Sequence, residues 1–74
     1  MQPMIFLQNG ESGFIKRVKG ASDTKRFLAG LGFVEDAEVS VISRMNGSLI
    51  VNIKDSRVAI NEDMAKKIMI QMQG

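Results

Sequence analysis

The chain of 74 residues predicts a mainly β fold, a small closed or nearly closed barrel of five short strands with one helix and one helical turn. Three observations carry this. Turn residues recur at short intervals, at Asn9-Gly10, Gly13, Gly20, Gly32, Asn46-Gly47 and Asp55-Ser56, and closely spaced breaks mean short elements. Between them apolar residues alternate with period two, at Leu49, Val51 and Ile53, then Val58 and Ile60, then Ile68, Ile70 and Met72. One segment, near residues 22–31, has helical spacing instead. Closing short strands into a barrel removes the open edges on which such strands aggregate.

The first strand spans Gly13 to Lys19. Either Phe14 and Val18 share a face by strict alternation, or a bulge brings Ile15 and Val18 together; the residues leave both open. From Ser22 to Leu31, Ser22 or Asp23 can cap the first free N–H groups, and Phe27, Leu28 and Leu31 form one apolar stripe. Lys25 and Arg26 lie off that stripe. Gly32 is placed to end the helix in a left-handed conformation. Val39 and Val41 share a face of the next strand, Glu38 to Arg44, and Asn46-Gly47 then supplies the two positive φ values of a type I′ hairpin. A second tight turn is expected at Asp55-Ser56, which makes the three segments a meander. Asn61 caps a helical turn near residues 61–66, with Glu62 and Asp63 at its positive end, and the last strand follows.

Composition narrows the function. At this length there is one domain, residues 1–74, whose core contributes roughly 3–5 kcal/mol and which has little room for a deep substrate pocket. Neither His nor Cys is present. That excludes disulfides, zinc knuckles, redox thiols and the usual nucleophile–base pairs, so no catalytic, cofactor or metal residue is assigned and an enzyme is not expected. The start has no basic region and only four consecutive apolar residues, neither a signal peptide nor a membrane span, and a cytoplasmic protein is expected. Net charge is +2 and the cations are interspersed with acids along the chain, as where Asp55 stands between Lys54 and Arg57. A mixed solvated surface follows, because nucleic acid requires clustered positive charge. Of the six methionines, Met64 and Met72 read as core filler, while Met1 and Met4 are expected to be disordered.

The order of pieces resembles the FeoA-like family of ferrous-iron-transport accessory proteins. The resemblance rests on Leu7-Gln-Asn-Gly-Glu-Ser-Gly13 with Ile15-Lys-Arg-Val18, on Arg26-Phe-Leu-Ala-Gly-Leu-Gly-Phe33, on Glu38-Val-Ser-Val41, and on Asp55-Ser-Arg-Val-Ala-Ile60 followed by Asn61-Glu-Asp-Met-Ala65 and Ile68. It covers residues 7–72; no single piece is specific, but the ordered set is. It implies an SH3-like barrel with an added helix. It also implies a cytoplasmic accessory role beside a ferrous iron permease with a GTPase domain. Glu35-Asp36 departs from the family's frequent Pro-Gly, Asp55 from its frequent Gly, and the Asn46-Gly47 hairpin is short.

These readings leave a binding surface. Val34 follows the helix, Met45 adjoins the hairpin tip, and Met69 is out of phase with Ile68 and Ile70, so the fold need not bury any of them. Arg44, Lys25 and Arg26 are the candidate rim charges. The expected partner is the cytoplasmic portion of an iron permease, with the domain a monomer or weak homodimer and not inserted in the membrane. The rival is a small basic barrel that binds nucleic acid, or a detached regulatory domain related to metal-dependent repressors. Nucleic-acid barrels stack bases on exposed aromatics, and at least two of Phe6, Phe14, Phe27 and Phe33 read as core. Glu35, Asp36 and Glu38 offer hard-cation oxygens but read first as a solvated acidic turn.

Overall fold

Alternating apolar residues and tight turns produce one antiparallel sheet of six strands in the order β1-β6-β2-β3-β4-β5. The computed structural model describes residues 1–72. The strands are β1 (Gln2–Pro3), β2 (Ser12–Val18), β3 (Glu38–Met45), β4 (Ser48–Ile53), β5 (Ser56–Asn61) and β6 (Ile68–Met72), with helices α1 (Ser22–Gly30) and α2 (Glu62–Ala65). The expected five strands are all present, and β1 adds a sixth against β6. In its hydrogen bonding the sheet is not sealed: β1 and β5 are its two edges. Helix α2 packs on β4, β5 and a 3₁₀ turn at Met4–Phe6, bridging the two ends of the sheet.

The core is the inward row of each strand. Ile15, Val39, Val41, Leu49, Val51, Ile53, Ile60, Ile68 and Ile70 are all buried. Two bulges set the registers. On β2 the pairing with β6 shifts between Ile15 and Arg17, so Ile15 lies opposite Ile70 and Val18 opposite Ile68, which resolves the ambiguity of this strand in favour of the bulge. On β3 the register against β4 shifts between Val41 and Ser43, and Arg44 thereby comes to lie opposite the buried Leu49. Gly13 is required by close approach: a Cβ there would lie 2.5 Å from the Ile70 Cγ2 and 2.7 Å from the Gln71 carbonyl oxygen.

The turns follow local chemistry. Asn46 and Gly47 have φ of 50° and 80° between the paired Met45 and Ser48, a two-residue type I′ hairpin. The second hairpin is Lys54-Asp55, one residue earlier than expected, with φ of 48° and 64° between the paired Ile53 and Ser56. The pairing of Ile53 with Ser56 puts Lys54, a residue that rarely enters left-handed space, at the first turn position, so the turn begins there and not at Asp55. Asn61 caps α2 as expected, its Oδ1 accepting from the Met64 N–H at 2.8 Å.

Helix α1 corrects two expectations. Its N-cap is Ala21, with no side-chain cap bond from Ser22 or Asp23. Leu28 is fully buried and Leu31 packs against the core, but Phe27 is 54% exposed. At about 100° per residue, Thr24, Leu28 and Leu31 define the inward face and Phe27 stands on its flank. The helix ends as predicted, with Gly32 at φ 109° and the Phe33 N–H bonding back to the Leu28 carbonyl. The expectation that at least two of the four aromatics are core is also corrected: only Phe33 joins it, and Phe6 and Phe14 are exposed with Phe27. Met4, expected to be disordered, instead opens the 3₁₀ turn and is fully buried, while Met64 and Met72 pack against the core as expected.

Candidate functional site

The strongest local device at the surface is a tie made by Arg44. Its guanidinium donates to the Ile5 carbonyl oxygen at 2.9 Å and also to the Leu7 carbonyl oxygen. Arg44 follows the β3 bulge, and its side chain reaches the Ile5 and Leu7 carbonyls of the 3₁₀ turn and its cap. This side chain is therefore committed to holding the turn. Phe6 lies between the two accepting residues and is 68% exposed; Met45, next to Arg44 in β3, is 62% exposed. Phe6 thus belongs to the turn that Arg44 holds, while Met45 points to the opposite face of β3 from Arg44, and the fold leaves both apolar side chains in water.

The six candidate residues do not form one surface. Met45 and Arg44 occupy the hairpin end of β3, where the Glu62 N–H of α2 bonds to the Gly47 carbonyl. Val34 is half-buried at the opposite end, in the loop whose Ala37 N–H bonds to the Val34 carbonyl. The length of β3 separates the two ends by roughly 23 Å at about 3.3 Å per residue. Met69 is half-buried on the outer face of β6, opposite Arg17 on one side and Pro3 on the other. Lys25 and Arg26 project from α1, where Arg26 lies 3.9 Å from Asp23 with both side chains in water. Phe6 is not among the candidates from the sequence, because it stands in the unbroken apolar run Met4-Ile5-Phe6-Leu7, where no pattern separates an exposed residue from buried ones.

An open cleft of about 300 Å³ lies along the outer face of the β3–β4–β5 meander, between Glu38 and Ser40 on one side and Asn52, Lys54 and Asp55 on the other. Ala37 completes the lining, whose walls are mixed polar and apolar, and in a chain without His or Cys no imidazole or thiol lines it. Asp36 is engaged by the Lys16 ammonium at 3.1 Å. Among the described residues no group of three or more acidic, His or Cys side chains could hold a metal ion. No helix among them is long and apolar enough to cross a membrane.

Comparison with known proteins identifies the relatives. A family model described as FeoA domain matches residues 2–72. An inferred Fe(2+) transport protein A of Methanocaldococcus jannaschii is 30% identical over 71 residues, covering 96% of this chain and 87% of that protein. A crystal structure of an iron uptake regulatory protein, FeoA, superposes with a TM-score of 0.91 at 22% identity, over 97% of this chain and 96% of that one. The Stenotrophomonas maltophilia FeoA, solved with zinc and described as an SH3 domain protein, superposes with a TM-score of 0.84 at 25% identity, over 96% and 91%. A manganese-dependent transcriptional repressor has the same fold in part of its chain, with a TM-score of 0.89 at 20% identity; 97% of this chain matches 41% of the repressor.

Proposed function

This chain belongs to the FeoA domain family, and from that premise we propose that it is an accessory protein of ferrous iron transport that acts as a docking module. Its partner is the cytoplasmic portion of an iron permease that carries a GTPase domain, and it works there without catalysis of its own. The observation that supports docking is the exposure of two large apolar side chains, Phe6 in the turn held by Arg44 and Met45 at the hairpin end of β3. A rigid backbone spares the entropy of ordering a loop on binding, and a few apolar anchors carry most of the energy of an interface. The rigidity here is structural: the guanidinium pins the Phe6 turn to β3, and the type I′ hairpin fixes Met45.

The test is a binding measurement with a permease cytoplasmic fragment. Phe6→Asp combined with Met45→Asp leaves the circular dichroism of the domain intact and weakens docking by at least ~2 kcal/mol. Binding that survives the double variant but falls with Val34→Ser moves the site to the loop end of the barrel. Failure of the wild-type protein to bind any permease fragment overturns the assignment of partner.

A further inference from the structure

We infer that the end of the barrel formed by the close of β2, the start of β6 and helix α1 is an electrostatic docking face for an anionic membrane surface. Six of the ten Lys and Arg residues lie on or next to these elements: Arg17, Lys19, Lys25, Arg26, Lys66 and Lys67. In sequence they form three separate groups, and the fold brings them together. Arg17 pairs across to Met69, and the Lys19 N–H donates to the Lys67 carbonyl at 2.8 Å, which stacks the end of β2 beside the start of β6. Helix α1 begins two residues after Gly20. At Gly20, the Lys67 stem and Thr24 of α1 both come within 4 Å of where a Cβ would stand. All six cations are exposed except Lys67, which is half-buried.

The opposing charge lies mostly elsewhere. Asp23 faces Arg26, and Glu62 and Asp63 open α2 one turn before Lys66. The other acids belong to the loop before β2, the loop leading into β3, and the Lys54-Asp55 turn. Lys16, although adjacent to Arg17, is turned toward that second group and pairs with Asp36.

Charge and shape together favour a bilayer over a nucleic acid. Single-stranded nucleic acid is held where aromatics are interleaved with cations along a groove. Here Phe14 lies opposite Glu38, and Phe6 lies at the Arg44 tie; neither stands among the six cations. Phe27 alone accompanies them, exposed on the flank of α1 next to Arg26. A polybasic face with one exposed aromatic suits the headgroup layer, where cations are drawn to anionic lipid and an apolar side chain enters the boundary. The face supplies orientation at the membrane, and it stands independently of the docking assigned to Phe6 and Met45.

The experiment is co-sedimentation of the full chain with vesicles of phosphatidylglycerol and phosphatidylcholine, against vesicles of phosphatidylcholine alone. Binding is expected only to the anionic vesicles, and is lost at about 1 M salt, where the Debye length is about 3 Å. The triple variant Lys19→Gln, Lys66→Gln, Lys67→Gln lowers the partition coefficient about a hundredfold, from the contribution of each cation near a charged surface. The control variant Lys16→Gln, Lys54→Gln, Arg57→Gln removes the same net charge from outside the face and retains most of the binding. Equal loss in the two variants shows that net charge alone is responsible and overturns the assignment of a face. Equal binding to both kinds of vesicle overturns it too. Displacement from the vesicles by single-stranded RNA at equal phosphate concentration makes the face a nucleic-acid site and overturns the membrane assignment.

Discussion

Replacing Leu28 by alanine removes the one fully buried side chain of α1. The helix has few other ties to the sheet: Leu31 and the loop through Phe33 hold its end, and Thr24 is half-buried. Because the sheet beneath is built of paired strands, the space left by Leu28 cannot close without moving backbone. The loss is therefore expected in the range of ~2–5 kcal/mol for buried Leu to Ala. In a domain of this size each kcal/mol moves the melting temperature by about 4–8 °C, so the midpoint falls by roughly 8 °C or more. Phe27→Ala is the matched control. It removes a larger side chain one position away, but one that is 54% exposed, and it shifts stability by no more than about 1 kcal/mol. Thermal denaturation followed by circular dichroism reads both. If Phe27→Ala costs as much as Leu28→Ala, or if Leu28→Ala melts within a couple of degrees of wild type, the inward face of α1 has been misassigned.

Two further substitutions test the ties around the sheet. Arg44→Met keeps much of the aliphatic stem but removes the donors to the Ile5 and Leu7 carbonyls, and costs about 1.5–3 kcal/mol. Amide exchange should accelerate across residues 4–7 first; unchanged protection there refutes the tie. Gly13→Ala drives a methyl group against Ile70 and the Gln71 backbone and costs about 1–3 kcal/mol, read by urea denaturation, whereas an unaltered midpoint means that β2 and β6 lie farther apart than the structure has them.

The chain determines by itself whatever depends on a few neighbouring residues. Alternation at Leu49, Val51 and Ile53 assigns a strand and its inward face, because side chains of a strand point to opposite sides in turn. Asn46-Gly47 marks a hairpin and Asn61 a helix start because the required φ values and cap bond are made within three residues. The order of such pieces was enough to point to the family. Tertiary structure decided what depends on residues far apart in sequence. It chose the bulge over strict alternation in β2, since only pairing with β6 places Ile15 opposite Ile70. It turned Phe27 outward, because the direction from which the sheet meets α1 is no property of the helix. It placed Val34 and Met45 at opposite ends of β3, and committed Arg44 to the carbonyls of a turn 37 and 39 residues away. It also turned charges that look evenly mixed along the chain into one basic end. Antiparallel pairing sets the close of one strand beside the start of another, so residues 17 and 19 share a surface with 66 and 67, and linear spacing carries no information about that neighbourhood.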